Sequence, residues 1–502
     1  MVIRASLRPI STLLRRQNSI LTSNINPSTF ILNPGQDVSQ FSKSLLVNHG
    51  ELEDGVIPEA LKYSLPFNED VLSNGFRVAS EPSESGLTTL TLQVKAGVRN
   101  ESFSTTGIGH FIKKLRSRGT EKRSRSKLAS DLESLGALFK ITTGKEVTTF
   151  QLQVSNKDLP LAVELLADIS LSTKFNKNFI EEQRESSLAG LRNTSDPRKY
   201  ILENIHFTAF RDHMFGQPTR GNSVSIGNIT QDSIKDYLDA HYIAPRMVLV
   251  GTGGVNQSQL RELAEKHFGK VPTSGREVSG EDKPVFTGSQ VVVRDDDVDL
   301  AHCGVFYQAP SWNNEDFYAF QVLQRIMGDY RPPRDSIINH PHLQYNYLHT
   351  WFGELEDFGE HDSYYFPYSD VGLFGHYTST LDLSGFFAPS ACLKASRRAT
   401  NVVMESEKYR ARNRYYNELL HLPQNPLAHG NEIANELIYA KRRITRSEVA
   451  KRVSVADAKY LRKVYSKWLW DTELALAFYG AVFTQIRLYG VWRGYTNDSN
   501  QI

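Results

Sequence analysis

Apolar and polar residues alternate along Thr89-Leu90-Thr91-Leu92-Gln93-Val94, the period of two that marks a strand with one face toward a core and the other toward water. Just before it, Asn74-Gly75 separates the apolar pairs Val71-Leu72 and Phe76/Val78, and Asn-Gly between hydrophobic runs is a hairpin signal. Farther on, Thr230-Gln231-Asp232 opens a helix with a capping-box-like Thr-x-x-Ser. His241-Tyr242 then leads into the apolar strand Met247-Val248-Leu249-Val250 and the turn Gly253-Gly254-Val255. The same order returns near the C-terminus, where Val453-Ser454-Val455-Ala456-Asp457 opens a helix, Val464-Tyr465 follows, and Leu474 to Val482 forms a second apolar strand. Self-similarity at about 225 residues is too long for a solenoid repeat and predicts a duplicated α+β domain.

Composition agrees with two domains. The 502 residues are 40% apolar and 23% charged, enough to build two globular cores. A net charge of +2 argues against nucleic acid as a partner, and no apolar run is long enough for a transmembrane helix. Cys303 and Cys392 are too few for a disulfide framework and read as buried free thiols. No acidic residue precedes Asp37. Before it stand Arg4, Arg8, Arg15 and Arg16 with several serines, and Ile3, Leu7, Ile10 and Leu14 share one helical face broken only by Pro9, a mitochondrial targeting pattern. The polar stretch from Val271 to Pro284 carries the hinge. The expected layout is a targeting segment at 1–36, an extension at 37–65, a first domain at 66–272, a linker at 273–288 and a second domain at 289–502.

The candidate chemistry lies in His110-Phe111-Ile112-Lys113-Lys114. An inverted zinc motif needs His-x-x-Glu-His on one helix, where positions i and i+4 share a face and grip one ion. Here only the first histidine stands, with Lys113 in place of the general base and Lys114 in place of the second ligand. An ammonium offers donors and no lone pair, so it does not ligate zinc.

The surroundings carry a resemblance. Ala96-Gly97-Val98-Arg99-Asn100-Glu101, Gly107-Ile108-Gly109-His110-Phe111, Gly119-Thr120, Leu135-Gly136-Ala137, the run 157–169, Asp370-Val371-Gly372-Leu373-Phe374-Gly375 and Lys441-Arg442-Arg443-Ile444 occur in an order that resembles one family. It is the family of the mitochondrial processing peptidase β-subunit and the core proteins of respiratory complex III, the pitrilysin-like inverted-motif peptidases. The resemblance covers roughly Pro66 to Tyr495. It implies, for each half, a mostly antiparallel sheet with helices packed on one face, and halves that form part of a clam-like dimer.

The resemblance also locates what is missing. The family's third ligand, a Glu about 76 residues past the motif, falls on Gly190, and a second family Glu that orients the site falls on Gln183. The substrate-side strand resembles G-A-x-L-N-A-Y-T, but Lys140 replaces its Asn. Of ligands and base, only His110 remains, which implies no bound metal, no cofactor and no catalytic residue. Glu181, Glu182 and Glu185 then read as a solvated helix face or as partners for the lysines. With Lys113, Lys114 and Lys140, the basic run at 116–127 makes this wall cationic, a surface that repels basic presequences; the run alone reads as a solvated face.

Three other signals are discounted. Gly251-Thr252-Gly253-Gly254-Val255-Asn256 lacks the third glycine of a dinucleotide turn and reads as a plain strand-to-helix turn. His340, His342, His349, His361 and His376 read as surface or packing histidines, and Asp295-Asp296-Asp297 as a solvated turn. The resulting expectation is a non-catalytic, structural core subunit of complex III on the matrix side of the mitochondrial inner membrane. Its implied partners are a second core protein, cytochrome b, cytochrome c1 and the Rieske protein, through which it associates with the membrane. The alternative is a non-catalytic substrate-binding subunit of the processing peptidase. Such subunits carry a glycine-rich loop where this chain has Gly328-Asp329-Tyr330-Arg331-Pro332-Pro333.

Overall fold

Two six-stranded sheets organise the chain. The computed structural model describes residues 57–191, 196–275, 282–331, 358–381 and 387–482. The targeting segment, His340, His342, His349 and most of the 331–366 connection fall outside them. The first sheet contains β1 (Asn68–Val71), β2 (Arg77–Pro82), β3 (Leu87–Val94), β4 (Leu138–Thr143), β5 (Thr148–Ser155) and β6 (Met247–Gly253). The second contains β7 (Ser289–Arg294), β8 (Ala301–Ala309), β9 (Asp329–Tyr330), β10 (Phe358–Pro367), β11 (Gly372–Thr380) and β12 (Leu474–Gly480).

Strand order exposes the duplication. The first sheet runs β1-β2-β6-β3-β5-β4 and the second β7-β12-β8-β11-β10-β9. Five strands therefore correspond in order, β2-β6-β3-β5-β4 with β7-β12-β8-β11-β10. In each sheet a single pair is parallel, β2 with β6 and β7 with β12, and the other pairs are antiparallel. The Asn74-Gly75 hairpin joins β1 to β2, with Gly75 at φ 85°. Asn74 also fastens the turn to the body of the domain, its Nδ2 donating to Phe268 O at 2.9 Å.

Each sheet carries its own helices on one face. Phe111, Ile112, Val163, Leu166, Leu260 and Phe268 pack with Leu90, Leu92, Phe150 and Leu249 under the first sheet. Phe320, Leu323, Cys392, Leu461 and Tyr465 do the same under the second. The opposite faces are covered by exchange. The helix Pro426–Tyr439, from the second half, lays Ile433, Ala434 and Leu437 on Ala79, Val248 and Val250 of the first sheet. The helix Pro197–Ala209, from the first half, lays Ile201, Ile205 and Ala209 on Phe306, Leu373, Ala475 and Ala477 of the second.

The exchange corrects one expectation from the residue pattern. Thr89, Thr91 and Gln93 of β3 do alternate with its apolar residues, yet they are buried. The helix Pro426–Tyr439 covers them, Gln93 Nε2 donating to Asn435 Oδ1 at 2.8 Å and a Cβ on Gly430 falling 2.6 Å from Thr91 Oγ1. Polar side chains thus face another helix; the hydrogen bonds of Gln93 Nε2 and of Thr89 Oγ1, which accepts from Gln153 Nε2 at 3.0 Å, offset part of the cost of leaving water, while Thr91 Oγ1 is buried without a partner.

Two buried ionic clusters cross the same seam. Arg99 donates to Glu146 at 2.9 Å and to Asp370 at 2.6 Å. Arg443 reaches Glu81 at 2.7 Å and Glu436 at 2.6 Å, with His429 Nε2 3.0 Å from Glu81. Burial opposes ionisation of Glu81, but His429 and Arg443 outweigh it and hold its carboxyl at about 2. Among the described residues no helix is long and apolar enough to cross a membrane.

Candidate functional site

A buried carboxyl group sets the start of the motif helix, Ile108–Leu115. Gly97 allows the preceding turn to press against β4–β5, where a Cβ would lie 2.5 Å from Lys145 O. The turn delivers Glu101, whose oxygens accept the N–H of Gly107 at 2.6 Å and of Gly109 at 3.0 Å. These are donors that a helix start leaves without internal partners. Burial pushes the Glu101 carboxyl up to about 8, against the pull of those two N–H groups. Gly107 has φ 90°, and a Cβ there would meet Gly221 N at 2.6 Å, so glycine is required on both counts.

Helical spacing does the rest. Ile108, Phe111, Ile112 and Leu115 turn into the core, leaving His110 and Lys113 half-buried and Lys114 exposed along one face. Burial, then Lys113, Lys114 and Arg220, push the His110 imidazole down to about 4, leaving it neutral at physiological pH. Lys113 is lowered by burial and by Lys114, Lys140 and Arg220. Three cationic side chains thus act on one imidazole, and Lys140 acts in turn on Lys113. The charge that opposes them at His110 is Glu203, itself bound to Lys145 Nζ at 2.9 Å and to Thr219 Oγ1 at 2.6 Å.

The helix Lys177–Leu191 packs beside the motif helix. Gly190 lies on its exposed side, and a Cβ there would meet no atom within 4 Å. Gln183 is buried and its Nε2 donates to Ser187 Oγ at 2.9 Å, a bond within its own helix. Glu181 pairs with Arg184 at 3.0 Å and Glu182 with Arg118 at 2.8 Å, so the described partners of these acids are arginines rather than the motif lysines. His110, Lys113, Lys114 and Gly190 together offer one imidazole, two ammonium groups and no carboxylate. That donor set does not fit a zinc ion, which requires three protein ligands beside an open position.

The basic run at 116–127 is less of a solvated face than its composition suggests. Arg116 is buried, donates to Ile169 O at 2.6 Å, and lies 5.0 Å from the ring centres of Phe150 and Tyr242. Arg123 binds Glu164, Asp168 and Asp131 together. Two of the three acids that bind Arg123, Glu164 and Asp168, lie some forty residues away in sequence, beyond the reach of local charge counting.

Sequence reasoning did not single out Glu101, Arg220 or Glu203 as parts of this site. Glu101 had a signal, an acid six residues before a Gly-x-Gly helix start. Arg220 and Glu203 had none, because only the fold brings them to His110. The discounted dinucleotide turn is a strand-to-helix turn in which Asn256 caps the next helix through Gln259 N at 3.2 Å. Asp296 and Asp297 are exposed, while Asp295 accepts from Tyr479 OH at 2.7 Å. His361 and His376 are not surface residues; both are fully buried in the second half.

Comparison with known proteins places these observations in a family. Residues 77–223 match the profile described as "Insulinase (Peptidase family M16)", and residues 228–382 match "Peptidase M16 inactive domain". The mitochondrial-processing peptidase subunit beta of Lentinula edodes is 30% identical over 83% of this chain and 91% of its own length. Cytochrome b-c1 complex subunit 1, mitochondrial, of Mus musculus is 32% identical over 82% of this chain and 86% of its own. Among solved structures, a chain of complex III2 from Candida albicans matches with TM-score 0.73 at 20% identity, covering 85% of this chain and 99% of that one. A protease from Helicobacter pylori matches with TM-score 0.74 at 17% identity, covering 83% and 99%. Both share the fold.

Proposed function

Given that the chain belongs to the insulinase family of peptidases, family M16, we propose that it is a member that has lost zinc chemistry and serves as a structural subunit. The observation that carries the reading is the state of the four chemical positions. Lys113 and Lys114 put ammonium groups where a base and a ligand would stand, Gly190 supplies no side chain, and Gln183 bonds within its own helix. Loss at all four, inside a frame whose glycine turns and capping carboxyl are intact, points to a protein retained for its surfaces.

The role proposed is a core subunit of mitochondrial complex III, on the matrix side of the inner membrane. It would pair with a second core protein and contact cytochrome b, cytochrome c1 and the Rieske protein, reaching the membrane only through them. Similarity to cytochrome b-c1 complex subunit 1 over nearly its whole length supports this assignment. We place the domain limits at 66–272 and 289–502 with a linker at 273–288, a division that the repeated strand order supports.

A second reading, a substrate-binding subunit of the processing peptidase, has support from equally similar relatives of that name. The cationic wall of Lys113, Lys114, Lys140 and Arg220 weighs against it, since basic presequences would be repelled. In addition, Asp329–Tyr330, where the glycine-rich loop would fall, is strand β9, paired with β10.

Native electrophoresis of inner-membrane extracts, with mass spectrometry of the band, tests the assignment. Co-migration with cytochrome b and cytochrome c1 is the expected result. A soluble pool free of haem subunits, binding presequence peptide with submicromolar affinity, would replace the first reading by the second.

A further inference from the structure

Three donor groups outside the degenerate site meet inside the second half. His361 on β10, His376 on β11 and Cys392 on the helix Phe387–Asn401 are all buried, and their ligating atoms lie within 4.8 Å of one another. His361 Nε2 and His376 Nδ1 are 3.0 Å apart. Two nitrogens held on one tetrahedral ion at ordinary bond lengths stand roughly 3.3 Å apart, so a few tenths of an ångström of relaxation suffices. The second ring nitrogen of His376, Nε2, lies 3.0 Å from Ser396 Oγ, the kind of outer hydrogen bond that orients a ligating imidazole.

The protonation states suit the same purpose. Burial holds the His376 imidazole down to about 3, and burial, His376 and Arg331 hold His361 well below its ordinary range. Both are therefore neutral lone-pair donors at physiological pH. Burial, with Cys303 adding to it, pushes the Cys392 thiol well up, so its thiolate forms only against a cation bound directly to sulfur.

We propose that His361, His376 and Cys392 bind one thiophilic d10 cation, Cu+ or Zn2+. Two imidazoles and a thiol without a carboxylate select soft and borderline metals over magnesium or calcium. Binding replaces the Cys392 S–H bond with an S–metal bond and releases one proton to solvent. Net charge then separates the two ions. With Cu+, one thiolate and two neutral imidazoles leave the complex uncharged, as an apolar interior beside Arg331 demands. Zn2+ reaches neutrality only with a second thiolate. Cys303 stands on β8, two strands from His361, and is not among the three groups whose ligating atoms meet, so the site favours Cu+.

The test loads the full chain, purified under reducing anaerobic conditions, with Cu+ alone or Zn2+ alone. Desalting against a competing chelator and elemental analysis follow. Wild type retains about one equivalent of one of the ions, and Cys392→Ser and His376→Gln lower retention at least tenfold. Cys303→Ser, a change outside the three-residue cluster, leaves retention intact. A measurement on wild type alone guards against misfolded variants: the bound ion slows alkylation of Cys392, read by peptide mass spectrometry. Retention of neither ion by wild type, retention unchanged in Cys392→Ser, or alkylation of Cys392 at the same rate with and without metal would each overturn the proposal. In any of those cases His361 and His376 are a hydrogen-bonded pair of the core and nothing more.

Discussion

Lys113 and Lys114 act on His110 through charge, and burial acts in the same direction and more strongly. Replacing both lysines by alanine should therefore raise the imidazole pKa above about 4 while leaving it below the ordinary 6.5, since the burial remains. Histidine hydrogen–deuterium exchange followed by mass spectrometry reads that shift. The sign for stability follows from the same two values. As pH falls from 6.5 toward 4, the unfolded imidazole takes a proton before the folded one, so this group's contribution to stability falls. His110→Gln should flatten that part of the pH profile, measured as urea midpoints at pH 7 and 5. A restoring variant tests the ligand count more directly. Lys114 and Gly190 are exposed, and a side chain at Gly190 meets open space, so Lys113→Glu, Lys114→His and Gly190→Glu together should fold. The triple variant should bind about one equivalent of zinc that His110→Ala abolishes. Failure of the folded variant to bind zinc would mean that the two helices no longer hold ligand geometry. These positions were legible in the sequence because helical spacing fixes which residues share a face. Glu203 and Arg220 were not, because their effect on His110 runs through space between segments far apart in the chain.

At the scale of elements, the sequence pattern located strands and helices well and misjudged what covers them. The β3 alternation is real, but its polar face meets the helix Pro426–Tyr439, and no local pattern announces a helix arriving from more than three hundred residues away. The reciprocal helix can be tested by fit. A Cβ on Gly304 of β8 would stand 2.8 Å from Ile201 Cγ2 and 2.9 Å from Ile205 Cγ1, side chains of the helix Pro197–Ala209. Gly304→Ala should cost about 1–3 kcal/mol through overpacking, and Ile205→Ala about 2–5 kcal/mol through lost packing. Combining them should cost less than the sum, because the smaller side chain makes room for the new methyl group. Chemical denaturation of the four proteins measures the coupling. Strict additivity would mean that the helix does not sit where the structure puts it.

The molecule as a whole is held by exchange, and this makes the two halves interdependent. Without Pro426–Tyr439, the first sheet would expose Ala79, Val248 and Val250 together with the buried polar groups of β3. Without Pro197–Ala209, the second would expose Phe306, Leu373, Ala475 and Ala477. Each sheet would then present a broad apolar face, which soluble monomers avoid. Arg443 adds an ionic tie at the same seam. Arg443→Met would leave Glu81 and Glu436 buried without their guanidinium, a loss of about 3–5 kcal/mol. Burial pushes Glu436 up to about 8 against the pull of Arg443, so in the variant this carboxyl is protonated at neutral pH and the deficit should grow as pH rises through 8. The same logic predicts the behaviour of the separated halves. Residues 57–275 and 282–482, expressed alone, should each aggregate or remain unfolded. Co-expressed, they should form a one-to-one complex that survives gel filtration and melts in a single transition, because each supplies the helix that the other lacks. Arg443→Met should weaken that complex. A monomeric 57–275 fragment with a cooperative melt of its own would show that the exchanged helix is dispensable, and the seam would then be an ordinary interdomain contact.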